Sequence, residues 1–363
     1  MKIVHVINNL DGGGAEKLIY EFSLFQQRAG HNVIVIMLLR STNDVYARKL
    51  IEAGIKVIQL NCEKYSLFTI YKLRKVFIGT RPDIIHSHLF PSQYYVILAT
   101  IGMGVSLITT EHNTSNSRTD NKLFKIIEQF IYSRYSKIVA ISDGVLKTYS
   151  KYLPKLESKI VKIENGINLE QFRNDLASKS YMNFSNETFL VTMVARFSEQ
   201  KDQISVIKAL TLLPPHIHLL LVGEGDKLDE CRKLAIKLGL ILRVHFLGFR
   251  TDIPKILSLS DIIVLSSFWE GFGLSIVEGM ASSKPVIATN VSGLNEIVAG
   301  VGCLFEVGDY NELSRIIMNY HDDREYYQSA SELSYLKAQK FNINTTNDLY
   351  LKLYSDVMRG VDV

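Results

Sequence analysis

The stretch Leu259–Pro285, LSDIIVLSSFWEGFGLSIVEGMASSKP, decides the fold that we predict for the whole chain. It begins with a run typical of a buried strand, Asp261–Leu265, and continues into an apolar-periodic segment, Leu274–Met280, that predicts a helix. A glycine-bearing loop joins them. Such a loop turns backbone N–H groups and the positive end of the helix dipole toward one point, which suits an anion such as a phosphate.

Two carboxylates flank this predicted anion site. Glu270 comes just before the loop, and Glu278 lies about one helical turn beyond its end. Carboxylates repel phosphate, so hydroxyl groups are their better partners. The stretch therefore predicts a ligand that is both phosphorylated and polyhydroxylated. The alternative is a plain glycine turn with two solvated glutamates.

Seven residues stand between Glu270 and Glu278, around EGFGL, and this pattern resembles the two-glutamate signature of the retaining glycosyltransferases of family 4, also called group 1. The resemblance implies an α/β protein with two Rossmann-like parallel-sheet domains facing a cleft, the GT-B arrangement. Strand and helix patterns alternate along both halves of the chain, which favours the same fold class.

The domain boundaries that we predict follow from length and from one polar segment. A chain of 363 residues suggests two domains, and the polar run 173–186 is a credible linker. We expect an N-terminal acceptor-side domain at 1–175 and a C-terminal nucleotide-sugar-binding domain at 176–345. Residues 346–363 form an amphipathic helix that, as in the family, crosses back to the first domain.

Two cations in the second half fit a diphosphate. Arg196 and Lys201 lie five residues apart after a predicted strand, where both can converge on one diphosphate. In the family the matching residues hold the donor phosphates, although Ala195 and Asp202 replace the usual glycines here. Surface charge without a ligand is the alternative.

Other loops complete the donor site that the resemblance implies. Gly223 begins a turn of the family's VGEG type, and the loop with Phe249 and Arg250 corresponds to the one that holds the nucleotide base. The predicted donor-binding residues are Gly13, Gly14, Arg196, Lys201, Gly223, Phe249, Arg250, Glu270, Gly271, Phe272, Gly273, Leu274 and Glu278.

The first half supplies a glycine loop and a histidine. Gly12–Gly14 separate a strand from a helix, which allows close backbone approach to a ligand, but Lys17 breaks the dinucleotide fingerprint GxGxxG. A structural turn is the alternative. His112, in the tetrad TEHN, corresponds in the family to a histidine near the transferred sugar, with a surface loop histidine as the alternative. His88, at the end of a predicted strand, could line the same cleft.

The resemblance implies transfer with retention of configuration, with Glu270, His112, Arg196 and Lys201 as the catalytic residues. No D-x-D sequence occurs, and His86 with His88 lacks a carboxylate or cysteine to complete a ligand set. We therefore expect no metal and no cofactor besides the nucleotide-sugar co-substrate. Charge on the leaving nucleotide would be neutralised by Arg196, Lys201 and the helix N-terminus.

The charge distribution suggests where the chain works. Residues 1–175 hold 23 Lys and Arg against 15 Asp and Glu, whereas residues 176–363 hold 18 against 22. A basic first half suits anionic lipid or a pyrophosphate-bearing acceptor, unless the split is random. Three dispersed cysteines and the absence of a signal-peptide pattern predict a cytoplasmic protein, with the inner face of the membrane as a place of contact. We expect no nucleic-acid partner.

We therefore predict a glycosyltransferase that moves a sugar from a UDP- or GDP-sugar to a hydroxyl of a saccharide or lipid-linked acceptor, in bacterial capsule, O-antigen, lipopolysaccharide or exopolysaccharide synthesis. Two other functions compete with it. One is a different GT-B enzyme, such as a sugar-nucleotide epimerase, and the other is a non-enzymatic two-domain sugar-binding protein. The donor sugar, the base and the acceptor leave no readable pattern.

Overall fold

A computed structural model describes residues 1–41, 44–114 and 122–361. Its strands form where the sequence is apolar and rich in β-branched residues. They are β1 Lys2–Ile7, β2 Asn32–Leu39, β3 Lys56–Cys62, β4 Ile84–His88, β5 Ser106–Glu111, β6 Lys137–Ala140, β7 Ile160–Lys162, β8 Phe189–Val194, β9 Ile217–Val222, β10 Val244–Phe246, β11 Ile262–Leu265, β12 Val286–Thr289 and β13 Cys303–Phe305.

Helices connect the strands and cover the two sheets. Within the described residues they are α1 Gly14–Arg28, α2 Val45–Glu52, α3 Phe68–Thr80, α4 Ser92–Ala99, α5 Lys122–Ser133, α6 Asp143–Tyr152, α7 Leu169–Asn174, α8 Gln203–Ala209, α9 Leu228–Lys237, α10 Ile253–Leu259, α11 Leu274–Ala281, α12 Asn295–Val298, α13 Tyr310–Asp322, α14 Arg324–Ala338 and α15 Ile343–Arg359. The predicted α/β class with two Rossmann-like parallel sheets is confirmed.

The first compact unit comprises Met1–Gly166 and Ile343–Val363. Its seven parallel strands follow the order β3-β2-β1-β4-β5-β6-β7. Helix α15 packs against α1, where the rings of Phe22 and Tyr350 lie 4.9 Å apart. The C-terminal helix thus belongs to the same unit as the first strand.

The second compact unit comprises Ile167–Asn342. Its six parallel strands follow the order β10-β9-β8-β11-β12-β13. The central strand β11 is fully buried, as expected for a parallel sheet covered by helices on both faces. Helix α11 lies close to that strand, because Gly279 faces Ile263 and a side chain at Gly279 would collide with it.

The segment predicted as a linker, 173–186, is instead packed within the second unit. Ala177, Met182 and Phe184 pack against a buried apolar cluster of that unit, and Lys179 pairs with Asp261 at 2.8 Å. Because the segment is mostly polar, its few, widely spaced apolar residues form no recognisable pattern in the sequence. The chain therefore passes between the units after residue 166, nine residues before the predicted boundary, and returns at 343 rather than 346.

The sheet order fixes where a ligand can bind in each unit. All strand pairs run parallel, so the carboxyl ends of the strands in a unit share one edge. The order reverses between β1 and β4 in the first sheet and between β8 and β11 in the second. Open parallel sheets bind ligands at such a reversal, beyond the carboxyl ends of the strands.

Candidate active site

The loops after β8 and β11 meet at the reversal point of the second sheet. Their backbones pair, since the Phe268 amide donates to the Gln200 carbonyl at 2.9 Å and the Asp202 amide donates to the Ser266 carbonyl at 3.0 Å. Lys201 and Ser267 form an isolated antiparallel bridge between them. This pairing places Lys201 beside the residues that precede the glycine loop.

Lys201 and Glu270, 69 residues apart in sequence, form an ion pair. Their side chains are only 12% and 13% exposed. The Lys201 ammonium also donates to Ser267 Oγ at 3.2 Å, and Glu270 Oε1 accepts the Gly271 amide at 3.1 Å. The structure thus brings together the cation predicted for the diphosphate and the carboxylate predicted for the sugar.

The glycine loop adopts the backbone that the predicted anion site requires. Gly273 has φ 83°, and a side chain there would also collide with Leu294. Leu274 begins α11, whose leading N–H groups have no carbonyl partner inside the helix. Glu278 follows one turn later and is 5% exposed. Phe272 is buried against Phe341, so its side chain anchors the loop in the core.

The remaining predicted donor residues of the second unit differ in their availability. Arg196 is exposed. Arg250 forms two hydrogen bonds to Asp252, at 2.7 and 2.6 Å, and these bonds lower the pKa of Asp252 to about 2. Its guanidinium is therefore committed to a neighbouring carboxylate, beside a half-buried Phe249.

The VGEG turn acts through its backbone. Gly223 has φ 137° and lies against the carbonyl of Ala195, where no side chain would fit, and its amide donates to the Gly248 carbonyl at 2.8 Å. This contact joins the loop after β9 to the loops after β8 and β10. A separate cavity of about 420 Å³ is lined by Lys201 and Phe268 but by neither Glu270 nor Glu278.

The glycine loop of the first unit follows β1 at the reversal point of that sheet. Gly13 precedes α1, and Gly14 is the first residue of that helix. A side chain at Gly13 would collide with the carboxylate of Glu16, which is buried. The glycine therefore leaves room for an acidic side chain folded back over the loop.

His112 follows β5 in the same unit and is held by the residue before it. The buried carboxylate of Glu111 accepts hydrogen bonds from Gln93, Tyr132 and Tyr149, which fix the base of the loop. The His112 ring lies 5.8 Å from that of His88, measured between centroids.

Both rings keep a nitrogen without a hydrogen-bond partner in the described part of the chain, Nε2 of His112 and Nδ1 of His88. Burial lowers the pKa of His112 to about 4, so its imidazole is neutral at neutral pH.

The structure adds a histidine that sequence reasoning missed. His5 on β1 contacts His88 through Nδ1 at 3.1 Å and Gln26 through Nε2 at 2.8 Å. Burial lowers its pKa to about 4. A histidine within the otherwise apolar run of β1 was the available signal.

The ligating atoms of His5, His86 and His88 all lie within 4.8 Å of one another, a grouping that His86 and His88 alone did not suggest. Both nitrogens of His86 are, however, hydrogen-bonded, to Thr110 and Tyr354. Hydrogen bonds within the protein thus occupy both ring nitrogens of His5 and of His86, whereas Nδ1 of His88 has no such partner among the described residues. The expectation of no metal ligand remains a prediction.

Comparison with known proteins places both units in one family. Residues 12–171 match the model of Glycosyltransferase Family 4, and residues 178–336 match that of Glycosyl transferases group 1. The second match contains the paired loops of Lys201 and Glu270, and the first contains the glycine loop and His112.

Two curated relatives cover most of the chain. A UDP-Gal:alpha-D-GlcNAc-diphosphoundecaprenol alpha-1,3-galactosyltransferase of Escherichia coli is 28% identical over 83% of this chain and 81% of its own. An N,N'-diacetylbacillosaminyl-diphospho-undecaprenol alpha-1,3-N-acetylgalactosaminyltransferase of Campylobacter jejuni is 28% identical over 88% and 90%.

Solved structures agree in fold. The structure of Anabaena HepE with UDP-glucose has a TM-score of 0.87 at 23% identity, covering 98% of this chain and all of that one. A glycosyltransferase from Rickettsia africae has a TM-score of 0.84 at 25% identity, covering 98% of each chain. The chain therefore belongs to glycosyltransferase family 4, the group 1 glycosyltransferases, and is a glycosyltransferase with two Rossmann-like domains.

Proposed function

We propose that the protein transfers a sugar from a UDP- or GDP-sugar to a hydroxyl group of a saccharide or lipid-linked acceptor, with retention of anomeric configuration. The ion pair of Lys201 with Glu270 at the sheet reversal carries this proposal. A cation for the diphosphate and a carboxylate for sugar hydroxyls must lie within one sugar-phosphate length of each other, and here they are in contact.

Each side chain has a role set by its position. Lys201 and the exposed Arg196 bind the diphosphate together with the first amides of α11. Glu270 orients the hydroxyls of the donor sugar, and Glu278 on α11 accepts from the ribose hydroxyls. His112, neutral at physiological pH, hydrogen-bonds to the sugar.

Charge that develops on the leaving nucleoside diphosphate is neutralised by these protein groups. Preorganised cations and amides in a site shielded from water stabilise such charge by several kcal/mol. The acceptor hydroxyl attacks from the face of the leaving group and passes its proton to a donor phosphate oxygen, so no protein nucleophile is required. We propose that the reaction needs no metal, because the sequence has no D-x-D pair to hold one.

The acceptor proposal rests on the relatives. The names of the E. coli and C. jejuni enzymes describe transfer to undecaprenyl-diphosphate-linked sugars. A third relative, from Rhizobium meliloti, is named a lipopolysaccharide core biosynthesis glycosyltransferase and is 30% identical over 45% of this chain and 49% of its own. We propose a similar role here, in the synthesis of a bacterial surface polysaccharide at the cytoplasmic face of the membrane.

Two measurements separate a transferase from the alternatives: calorimetry of ligand binding, and an assay of the products formed from a sugar nucleotide. We expect UDP or GDP to bind and free monosaccharides to bind poorly, since the phosphate contacts provide most of the affinity. A sugar-binding protein would show the reverse order. An epimerase would interconvert sugar nucleotides without releasing nucleoside diphosphate. Either result would contradict the proposal.

We also propose that the first unit contacts an anionic membrane through the outer faces of α3, α4 and α5. These helices lie side by side, since Arg74 on α3 donates to the Ala99 carbonyl at 3.1 Å and Tyr94 on α4 donates to Glu128 on α5 at 2.9 Å. None of the described helices is both long and apolar enough to span a bilayer.

The composition of this face supports the contact. Large apolar side chains are exposed on it, namely Leu67, Phe68, Tyr71, Ile78, Ile126 and Phe130. Lys75 on α3 is exposed among them. Glu128, the one acidic residue in the three helical sequences, is buried. Exposed apolar groups with cations and without exposed carboxylates suit a surface of anionic lipid.

Vesicle flotation tests this contact. The protein should float with phosphatidylglycerol vesicles, less so in high salt, and not with phosphatidylcholine alone. Ile126→Glu should reduce flotation, whereas Leu336→Glu, at an exposed apolar position of the second unit, should not. Equal flotation of Ile126→Glu and the unaltered protein would exclude this face as the contact.

A further inference from the structure

Asp202 stands where the family resemblance leads one to expect glycine, and its side chain makes two separate hydrogen bonds. It is 5% exposed. Oδ1 accepts the Ser205 amide at 3.1 Å and so caps α8, while Oδ2 accepts from the Ser266 hydroxyl at 3.1 Å. The first bond is local, whereas the second reaches a residue 64 positions away.

The bond to Ser266 joins the two loops that form the donor site. The Asp202 amide already donates to the Ser266 carbonyl, so main chain and side chain both hold the same contact. Lys201, which precedes Asp202, and Ser267, which follows Ser266, form the neighbouring antiparallel bridge between the two loops. On the other side of Ser267, the Thr289 hydroxyl accepts a hydrogen bond from the Ser267 amide at 3.0 Å and donates one to the Ser267 carbonyl at 2.9 Å.

We propose that Asp202 is a positioning residue that sets Lys201 against Glu270 for donor binding. This inference rests on the proposed function. Glycine at this position would keep the main-chain bonds between the two loops but would lose the side-chain bond to Ser266. In this chain the additional bond tightens the spacing of the two loops, so the Lys201 ammonium is in place before the diphosphate binds.

Two substitutions separate this role from helix capping. Asp202→Ser keeps a hydroxyl that can cap α8 but is too short to reach Ser266 as well. Asp202→Asn retains both the cap and a polar group facing Ser266. Ser266→Ala removes the same bond from the other side without touching the cap. If the bond positions Lys201, the double variant Asp202→Ser with Ser266→Ala should bind the nucleotide no more weakly than either single variant, because each change removes the same bond.

The binding experiment compares UDP or GDP affinity by calorimetry. We expect Asp202→Ser and Ser266→Ala each to weaken binding by roughly three- to tenfold, the effect of one lost hydrogen bond. Asp202→Asn should restore most of it. Asp323→Ala, which removes the cap of α14, is the control that should lower the melting temperature without changing affinity. Unaltered affinity in Asp202→Ser would overturn the inference.

Amide exchange provides a readout that does not need a nucleotide. The Phe268 amide, bonded to Gln200 across the two loops, should exchange faster in Asp202→Ser than in the unaltered protein. If the unaltered protein binds no nucleoside diphosphate, the proposed function fails while this measurement still tests the loop contact. Equal exchange rates would show that Asp202 only caps α8.

Discussion

Replacing Lys201 with alanine tests the assignment of the diphosphate site in two independent ways. A charge-assisted hydrogen bond contributes about 1.5–3 kcal/mol, so UDP or GDP affinity should fall by roughly 10- to 150-fold. The structure favours the lower part of that range. In the free protein Lys201 already bonds Glu270 and Ser267, so nucleotide binding exchanges or shares existing partners instead of satisfying a free cation.

The same substitution should also reduce stability. Removing Lys201 takes from the Glu270 carboxylate, 13% exposed, the ammonium with which it forms an ion pair. The loss of one partner of a partly buried charged pair costs about 1–3 kcal/mol. Replacing a solvated lysine on a surface loop, which is what the sequence alone suggests, would cause no such loss of stability. Denaturant unfolding of the variant measures this loss directly.

A second paired lysine provides a control that separates an effect on nucleotide binding from an effect on stability. Lys179 pairs with Asp261 at 2.8 Å, with side chains 17% and 21% exposed, at the amino end of β11 and away from the paired loops. Lys179→Ala should lose similar stability and keep its nucleotide affinity. If both variants lost stability equally and both bound UDP like the unaltered protein, Lys201 would not be part of the diphosphate site.

Three other predictions follow from the same geometry. Glu270→Gln should not weaken affinity for the bare nucleoside diphosphate, because the loss of this charge leaves Lys201 at least as available to the phosphates, while transfer should fall by roughly 10²-fold or more, about 2.7 kcal/mol in the barrier. Glu278→Gln should weaken binding of nucleotide and sugar nucleotide alike, and equal losses of UDP affinity in the two variants would contradict these roles. Activity should survive excess chelator, and a complete loss restored by magnesium or manganese would refute the metal-free mechanism. His5 and His112 have folded-state pKa values of about 4, below the usual 6.5, so the unfolded chain binds more protons and stability should fall as pH drops through this window. For the fully buried His5 the loss is up to roughly 3 kcal/mol, and unfolding curves that do not change between about pH 7 and pH 4.5 would contradict it.

The strand–glycine–helix pattern was readable because parallel sheets impose it on local sequence. Buried strands such as β11 are continuously apolar, and Gly273 needs a left-handed backbone that few other residues adopt. The pattern of two glutamates with seven residues between them is likewise local. These features predicted the fold class and the strand–loop–helix order from β11 to α11 correctly.

Contacts between distant parts of the sequence were not readable. Nothing near Lys201 indicates that Glu270 will be its partner, and nothing near Asp202 indicates Ser266. One contact close in sequence also gave no signal: the guanidinium of Arg250, predicted to bind the donor, is hydrogen-bonded to Asp252, two residues later. The run 173–186 has the composition of a linker because it contains few apolar residues. His5 gave no functional signal because it is a single histidine within an apolar strand.

The most direct test of the central claim is nucleoside diphosphate release from a panel of UDP- and GDP-sugars, measured with the unaltered protein and with Lys201→Ala. A glycosyltransferase with this site should hydrolyse at least one donor slowly without acceptor, and the variant should release diphosphate from that donor at least about tenfold more slowly at limiting donor concentration. If no sugar nucleotide is consumed or bound while a free sugar binds, the protein does not use the donor site described here.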